Sequence, residues 1–155
     1  MEQRTQTEND IRATGLRCTV QRVAVLDALR RAGGHQPVTA VTAAVREQLG
    51  TVSPQGVYDA LDSLSRHGLV QRVEPAGSPA LYEAGTVPHP HAVCRRCGAV
   101  ADVDPAEAGA SPTDLRGDHG YAIDGVEVTF WGLCPRCQRT TDETNDETND
   151  EESSP

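Results

Sequence analysis

Apolar residues recur at helical spacing through the first half of the chain and in short, strand-like runs through the second. Residues 8–17 read as a short helix ending near Gly15. Thr19 is placed to cap a second helix, whose stripe is Val20, Val23, Leu26 and Leu29 with Ala24 and Ala28 between them. Gly33-Gly34 stops it. Pro37 to Leu49 predicts a third helix, with Val38, Val41, Ala44, Val45 and Leu49 on one side and Gly50 at its end. Ser53 then opens a fourth as N-cap, with Pro54 at the first helical position. Val57, Leu61, Leu64 and, near its end, Leu69 face a core, which leaves Gln55, Tyr58, Asp59 and Asp62 toward solvent. Two strand-like runs follow, Leu69 to Glu74 and Ala80 to Glu83, joined by a turn over 75–79. Helices followed by a hairpin describe a winged helix-turn-helix, with the helix from Ser53 in the DNA major groove. Unrelated helical bundles share parts of that pattern.

The second half reads as Ala92–Val93, Ala99–Val103 and Val126–Leu133 strands, with a short helix around Ser111 to Arg116. The expected class is therefore α+β. A winged-helix domain spans residues 1–84, a small α/β domain residues 85–139, and an acidic tail residues 140–155. The tail repeats Asp-Glu-Thr-Asn, carries seven acids and no base, and offers almost nothing apolar to bury, so it is expected to be disordered. It also accounts for most of the net charge of -9. From Met1 to Pro75 nine Arg face eight Asp plus Glu, a balance that leaves nucleic-acid binding open. All 14 basic residues are Arg.

Phe130 and Trp131 are the sole Phe and Trp, so neither half can build a large core, and a structural metal is a reasonable staple. Four of the five cysteines form two Cys-x-x-Cys pairs, Cys94/Cys97 and Cys134/Cys137. Each spacing lets two thiolates approach one ion from a tight turn, and two such knuckles complete a tetrahedral site suited to Zn2+. Two disulfides or two redox-active pairs are the alternatives. The polar N-terminus predicts no signal peptide, and no apolar run is long enough for a membrane span, so cytoplasmic residence is the expectation. Reduced thiols in that compartment favour metal. Cys18 lies beside Arg17 before a helix start, a setting for either a reactive thiol or simple packing.

His89 and His91 precede the first knuckle. On an extended segment both rings fall on one side, half of a site for a borderline metal, and Glu83 and Asp102 flank them. Solvated loop histidines are the plainer alternative. No HExxH-like motif or obvious general base accompanies them, which argues against a zinc hydrolase.

With these residues the chain resembles the Fur family of bacterial metal-dependent repressors. The resemblance runs from Gly15-Leu16-Arg17, Thr19 and Gln21-Arg22 through His35, Val57-Tyr58 and Gly68-Leu69-Val70. It continues through His89-x-His91-x-x-Cys94-x-x-Cys97-Gly98 to Cys134-x-x-Cys137. It implies a winged helix, a hinge after the wing, a C-terminal dimerisation domain and a homodimer on palindromic double-stranded operator DNA. It also implies structural Zn2+ and a regulatory Fe2+ or Mn2+ site on His35, Glu83, His89, His91 and Asp102. Pro88 and Pro90 stand where many iron sensors carry a His and an Asp of a further site, which implies that this site is missing. Asp102 resembles the peroxide-sensing PerR branch, whereas Glu83 departs from it. The segment from Val126 to Pro135 is similar to the actinobacterial CatR/FurA branch. The implied function is a repressor of antioxidant, catalase-type genes that senses peroxide by oxidation of His35 or His89. An iron- or zinc-uptake regulator on the same scaffold is the alternative. A zinc-ribbon interaction module fits the cysteines but not the first half. For DNA, Arg17, Arg22 and Arg72 are candidate phosphate contacts, and Tyr58, then Gln55, candidate base contacts.

Overall fold

Polar i, i+4 pairs, not an apolar stripe, build the first helix. In the computed structural model α1 spans Glu2–Ala13, with Arg4–Glu8 and Glu8–Arg12 pairs at 3.6 and 3.0 Å and a Gln6–Asp10 hydrogen bond of 2.7 Å. The helix expected over residues 8–17 thus begins earlier and ends sooner, because its first turns carry no apolar period to read. Residues 2–74, 79–85, 87, 89–106, 120–122 and 126–139 are described. They divide into two units, Met1–Pro88 and His89–Pro155. The proposed 111–116 helix and the acidic tail lie outside the described residues.

In the first unit, α2 (Val20–Ala32), α3 (Val38–Leu49) and α4 (Pro54–Arg66) pack around Val23, Leu26, Leu29, Val41, Val45, Val57, Leu61 and Leu64, all essentially solvent-free. Thr19 caps α2 by accepting the Arg22 amide at 3.3 Å, and Ser53 caps α4 by accepting the Gly56 amide at 3.1 Å. Val20, assigned to the α2 stripe, is instead 59% exposed. It lies at the first helical position, before the turn that meets the core. Ile11 is the one fully buried apolar side chain of α1 among the described residues. The rest of its attachment is polar. Arg30 donates to Thr7 Oγ1 at 2.9 Å and to Asp10 Oδ2 at 2.6 Å, and the Thr7 hydroxyl donates to buried Asp27.

Gly68 takes φ +71°, a conformation costly for other residues, and turns the chain from α4 into the hairpin. Strands β2 (Val70–Val73) and β3 (Leu81–Ala84) are antiparallel, as expected. A third strand was not anticipated: β1 (Gln36–Pro37) pairs with the far side of β3, giving the order β1-β3-β2. Two residues containing a proline carry no strand signal; the pairing is imposed by the tertiary fold.

The second unit centres on β4 (His91–Cys94). Strand β5 (Val100–Asp102) is antiparallel on one side, and β6 (Thr129–Gly132) is parallel on the other. All three match expected strands, although the parallel pairing could not be read from local patterning. Among the described residues its buried apolar positions are few: Val93, Cys94 and Cys137.

Candidate metal centres and nucleic-acid interface

Strand register assembles the first ligand group. Gln36 opposes Tyr82 and Pro37 opposes Leu81. Continuing that antiparallel register by one residue sets His35 against Glu83, and His35 Nε2 lies 3.5 Å from Glu83 Oε2. Burial of the Glu83 carboxylate is costly unless a cation or proton donor faces it. The short strand that sequence reasoning missed is what brings these two residues together.

In the second unit His91 lies directly opposite Asp102 across β4 and β5. His89 precedes it by one alternation, and the two rings are 4.5 Å apart. His89 Nε2 is 3.2 Å from Asp102 Oδ1. The expected same-side arrangement of the imidazoles is therefore present, with a carboxylate beside them. Each unit offers an imidazole and carboxylate set, a donor chemistry that suits first-row divalent ions such as Fe2+ and Mn2+.

The four paired cysteines form a separate cluster. Their sulfurs all lie within 4.8 Å of one another. The parallel pairing of Cys94 with Gly132 carries the chain beyond β6 directly to Cys134. Gly98, at φ +72°, closes the first knuckle with its amide on the Cys94 carbonyl at 2.9 Å. Residues 135–139 are helical and start at Pro135, which sets Cys137 in the first turn facing inward. All five cysteines are free thiols, so the disulfide alternative does not describe this fold. Backbone amides, that of Cys134 foremost and then that of Cys97, hold the Cys94 thiol down at about 6. The Cys137 amide likewise lowers Cys134. Burial, foremost, pushes Cys137 up to about 12. Amide dipoles aimed at sulfur, with desolvated thiols that gain from a cation, fit a four-thiolate Zn2+ site.

On α4, Gln55 and Tyr58 are exposed, Tyr58 by 46%, as a reading helix requires. Gln55 donates to Asp59 at 2.8 Å. Arg17 is exposed ahead of α2. Arg22 donates to the Arg17 carbonyl at 2.7 Å and to Ser63 Oγ at 3.3 Å, tying that turn to α4. Arg72 pairs with Glu74 within the wing. Gln21 went unnoticed as a positioning residue: a Cβ added to Gly56 would come within 2.2 Å of its Nε2, so its amide covers the α4 N-terminus. Cys18 packs partly buried against the helical core.

Residues 13–131 match the Ferric uptake regulator family. The chain belongs to that family. Transcriptional regulator FurA of Mycobacterium tuberculosis is 46% identical over 129 residues, covering 82% of this chain and 86% of that protein. The Peroxide operon regulator of Bacillus subtilis is more distant, 24% identical over 131 residues, covering 83% and 89%. The manganese-containing ferric uptake regulator of Pseudomonas aeruginosa superposes with a TM-score of 0.68 at 27% identity, covering 83% of this chain and 98% of that one. A zinc uptake regulator complexed with zinc and DNA gives 0.66 at 25%, covering 91% and 96%. The family member described here is a metal-responsive transcriptional regulator and not an enzyme. The expected likeness to the actinobacterial branch holds, with the peroxide regulators at greater distance. Among the described residues no helix is long and apolar enough to cross a membrane.

Proposed function

We propose that this chain is a homodimeric repressor of antioxidant genes whose grip on palindromic DNA is set by one Fe2+ or Mn2+ ion. The observation that carries this reading is the buried Glu83 carboxylate facing His35 in the winged-helix unit, matched by His89, His91 and Asp102 in the following unit. His35 and Glu83 would supply two ligands, and His89, His91 and Asp102 the other three. An ion sharing all five would favour whichever arrangement of the units permits that sharing, and DNA affinity would rise with it. Cys94, Cys97, Cys134 and Cys137 would hold structural Zn2+, fixing the chain after β4 to the chain after β6.

DNA would be read by α4, with Tyr58 and Gln55 toward base edges and Arg17, Arg22 and Arg72 toward phosphates. Arg22 also orders the Arg17 carbonyl turn, so its contribution would combine contact and positioning. Dimerisation would use β6, an edge strand of the described sheet. Phe130 and Trp131 on it, and Leu133 just after it, are 43%, 37% and 40% exposed. Exposed apolar side chains on an open strand edge would suit burial against a second copy. Residence would be cytoplasmic.

Bound Fe2+ would supply the reduction of peroxide. The chain's part would be to place His35 and His89, oxidisable rings, and Asp102, a short carboxylate, among the residues that hold it. Uptake control by metal level alone is the second reading, favoured by Glu83, which departs from the peroxide branch in the resemblance described above.

The test loads the full chain with Fe2+ or Mn2+ and selects a palindromic duplex from random DNA with the Mn2+ form. H2O2 is then added, and DNA binding and the masses of peptides containing His35 and His89 are recorded. Loss of binding with added oxygen in the iron form alone is expected. Unchanged binding and mass in both forms would establish metal sensing without peroxide.

A further inference from the structure

The two cysteine knuckles share an unnoticed feature: an arginine immediately precedes the second cysteine of each, Arg96 before Cys97 and Arg136 before Cys137. The two side chains cross over. Arg96, in the first knuckle, donates through Nη1 to the carbonyl of Cys137 in the second, at 3.0 Å. Arg136, in the second knuckle, hydrogen-bonds the Cys97 sulfur in the first. Each arginine thus reaches the cysteine that follows its counterpart.

We propose that Arg96 and Arg136 form a reciprocal clasp that positions the two knuckles and balances the charge of the four-thiolate zinc site. The inference rests on the zinc reading given above. Four thiolates around one divalent cation leave a net charge of about -2. Two guanidiniums at the cluster offset it without donating a ligand. A guanidinium is suited to this because it stays charged and spreads several N–H donors over a plane. Cys97 is exposed, so the Arg136 contact also covers the sulfur most open to competing chelators. Arg96 acts on the backbone: its bond to the Cys137 carbonyl fixes the first helical turn after Pro135 and with it the direction of Cys137 Sγ. Loss of partners that orient metal ligands costs about 10- to 100-fold in affinity.

The experiment measures zinc stoichiometry of the purified full chain by mass spectrometry, then the rate of zinc transfer to EDTA at low and high NaCl. Compared are wild type, R136Q, R136K, R96Q, R95Q and R139Q. R136Q and R96Q are expected to lose zinc about tenfold faster or more. R136K should recover most of the retention, because an ammonium keeps the charge beside Cys97. R95Q and R139Q, exposed neighbours of the same cysteines, should match wild type. High salt should speed release from wild type more than from R136Q. Gln variants that hold zinc as long as wild type overturn the clasp, as does R136K releasing it as fast as R136Q, or R95Q releasing it as fast as R96Q. A wild-type chain purified without zinc would instead sink the zinc reading itself.

Discussion

His35 Nε2 lies 3.5 Å from Glu83 Oε2 because a two-residue strand, Gln36–Pro37, sits in antiparallel register on β3. The pair is a product of tertiary pairing, and its burial makes it expensive to keep without a cation. Removing one member should therefore affect ion binding far more than folding. H35A is expected to abolish the Mn2+-dependent rise in DNA affinity, a loss of tenfold or more, while zinc content stays at the wild-type level. Fluorescence anisotropy of a labelled palindrome during Mn2+ titration checks it. An H35A chain with an undiminished Mn2+ response removes His35 from the site.

The second unit is expected to depend on metal more than the first. Its described buried apolar positions are Val93, Cys94 and Cys137, against a continuous helical core in the first unit. A unit whose described residues bury so little apolar surface should draw much of its folding free energy from the ion. Zinc removal should leave α1 to α4 in place and melt the β5-β4-β6 sheet. Circular dichroism should retain the helical signal, while fluorescence of Trp131, the single tryptophan, shifts to the red. Acid should act in the same direction. Protons compete with the ion for the four thiolates, so zinc retention should fall as pH drops. A chelator-treated chain with unchanged tryptophan emission would contradict this.

Acidification should also loosen the first helix, through a different group. The Arg30 hydrogen bond, opposed by burial, lowers the Asp10 carboxyl below its ordinary value. The sign follows from that depression: the contribution is complete above about pH 5, where an unfolded-state Asp is almost wholly ionised, and is lost as pH falls through the depressed value. D10N should cost up to about 1 kcal/mol at pH 7, given that the pair is partly solvated. The difference from wild type should vanish in strong acid. Thermal melts of both chains across pH 2–7 test it; a constant difference would exclude the Asp10–Arg30 pair as its source.

Much of this was legible beforehand because it rests on local chemistry. Ser53-Pro54 announces a helix start, Val57, Leu61 and Leu64 its buried face, and the Cys-x-x-Cys spacings a tetrahedral thiolate site. Position His91 beside His89 and the alternation of a strand already places both rings on one side. The remainder depends on long-range pairing or on polar contacts with no period. Nothing local marks Gln36–Pro37 as a strand, so the His35–Glu83 contact was reachable through the family resemblance and not through patterning. Helix α1 was misplaced for a related reason: its anchors are Thr7 and Asp10 on Arg30, with Ile11 alone supplying a fully buried apolar group.

Tyr58 separates specificity from affinity. It is 46% exposed on α4, while its neighbours Val57, Ala60 and Leu61 face the core, so its truncation should leave thermal stability within about 0.5 kcal/mol. A lost base contact typically costs about 1–3 kcal/mol of discrimination. A lost phosphate contact weakens all sequences alike and reduces the salt slope. Y58A should therefore weaken binding to the selected palindrome by about tenfold or more and leave random duplex binding nearly unchanged, at constant salt. R17A should do the reverse, lowering both affinities together and flattening the salt dependence. Competition assays with the two duplexes at two NaCl concentrations distinguish these outcomes. Equal losses on both duplexes for Y58A would reassign Tyr58 to the phosphate backbone and leave Gln55, one helical turn earlier, as the residue to examine for base contact.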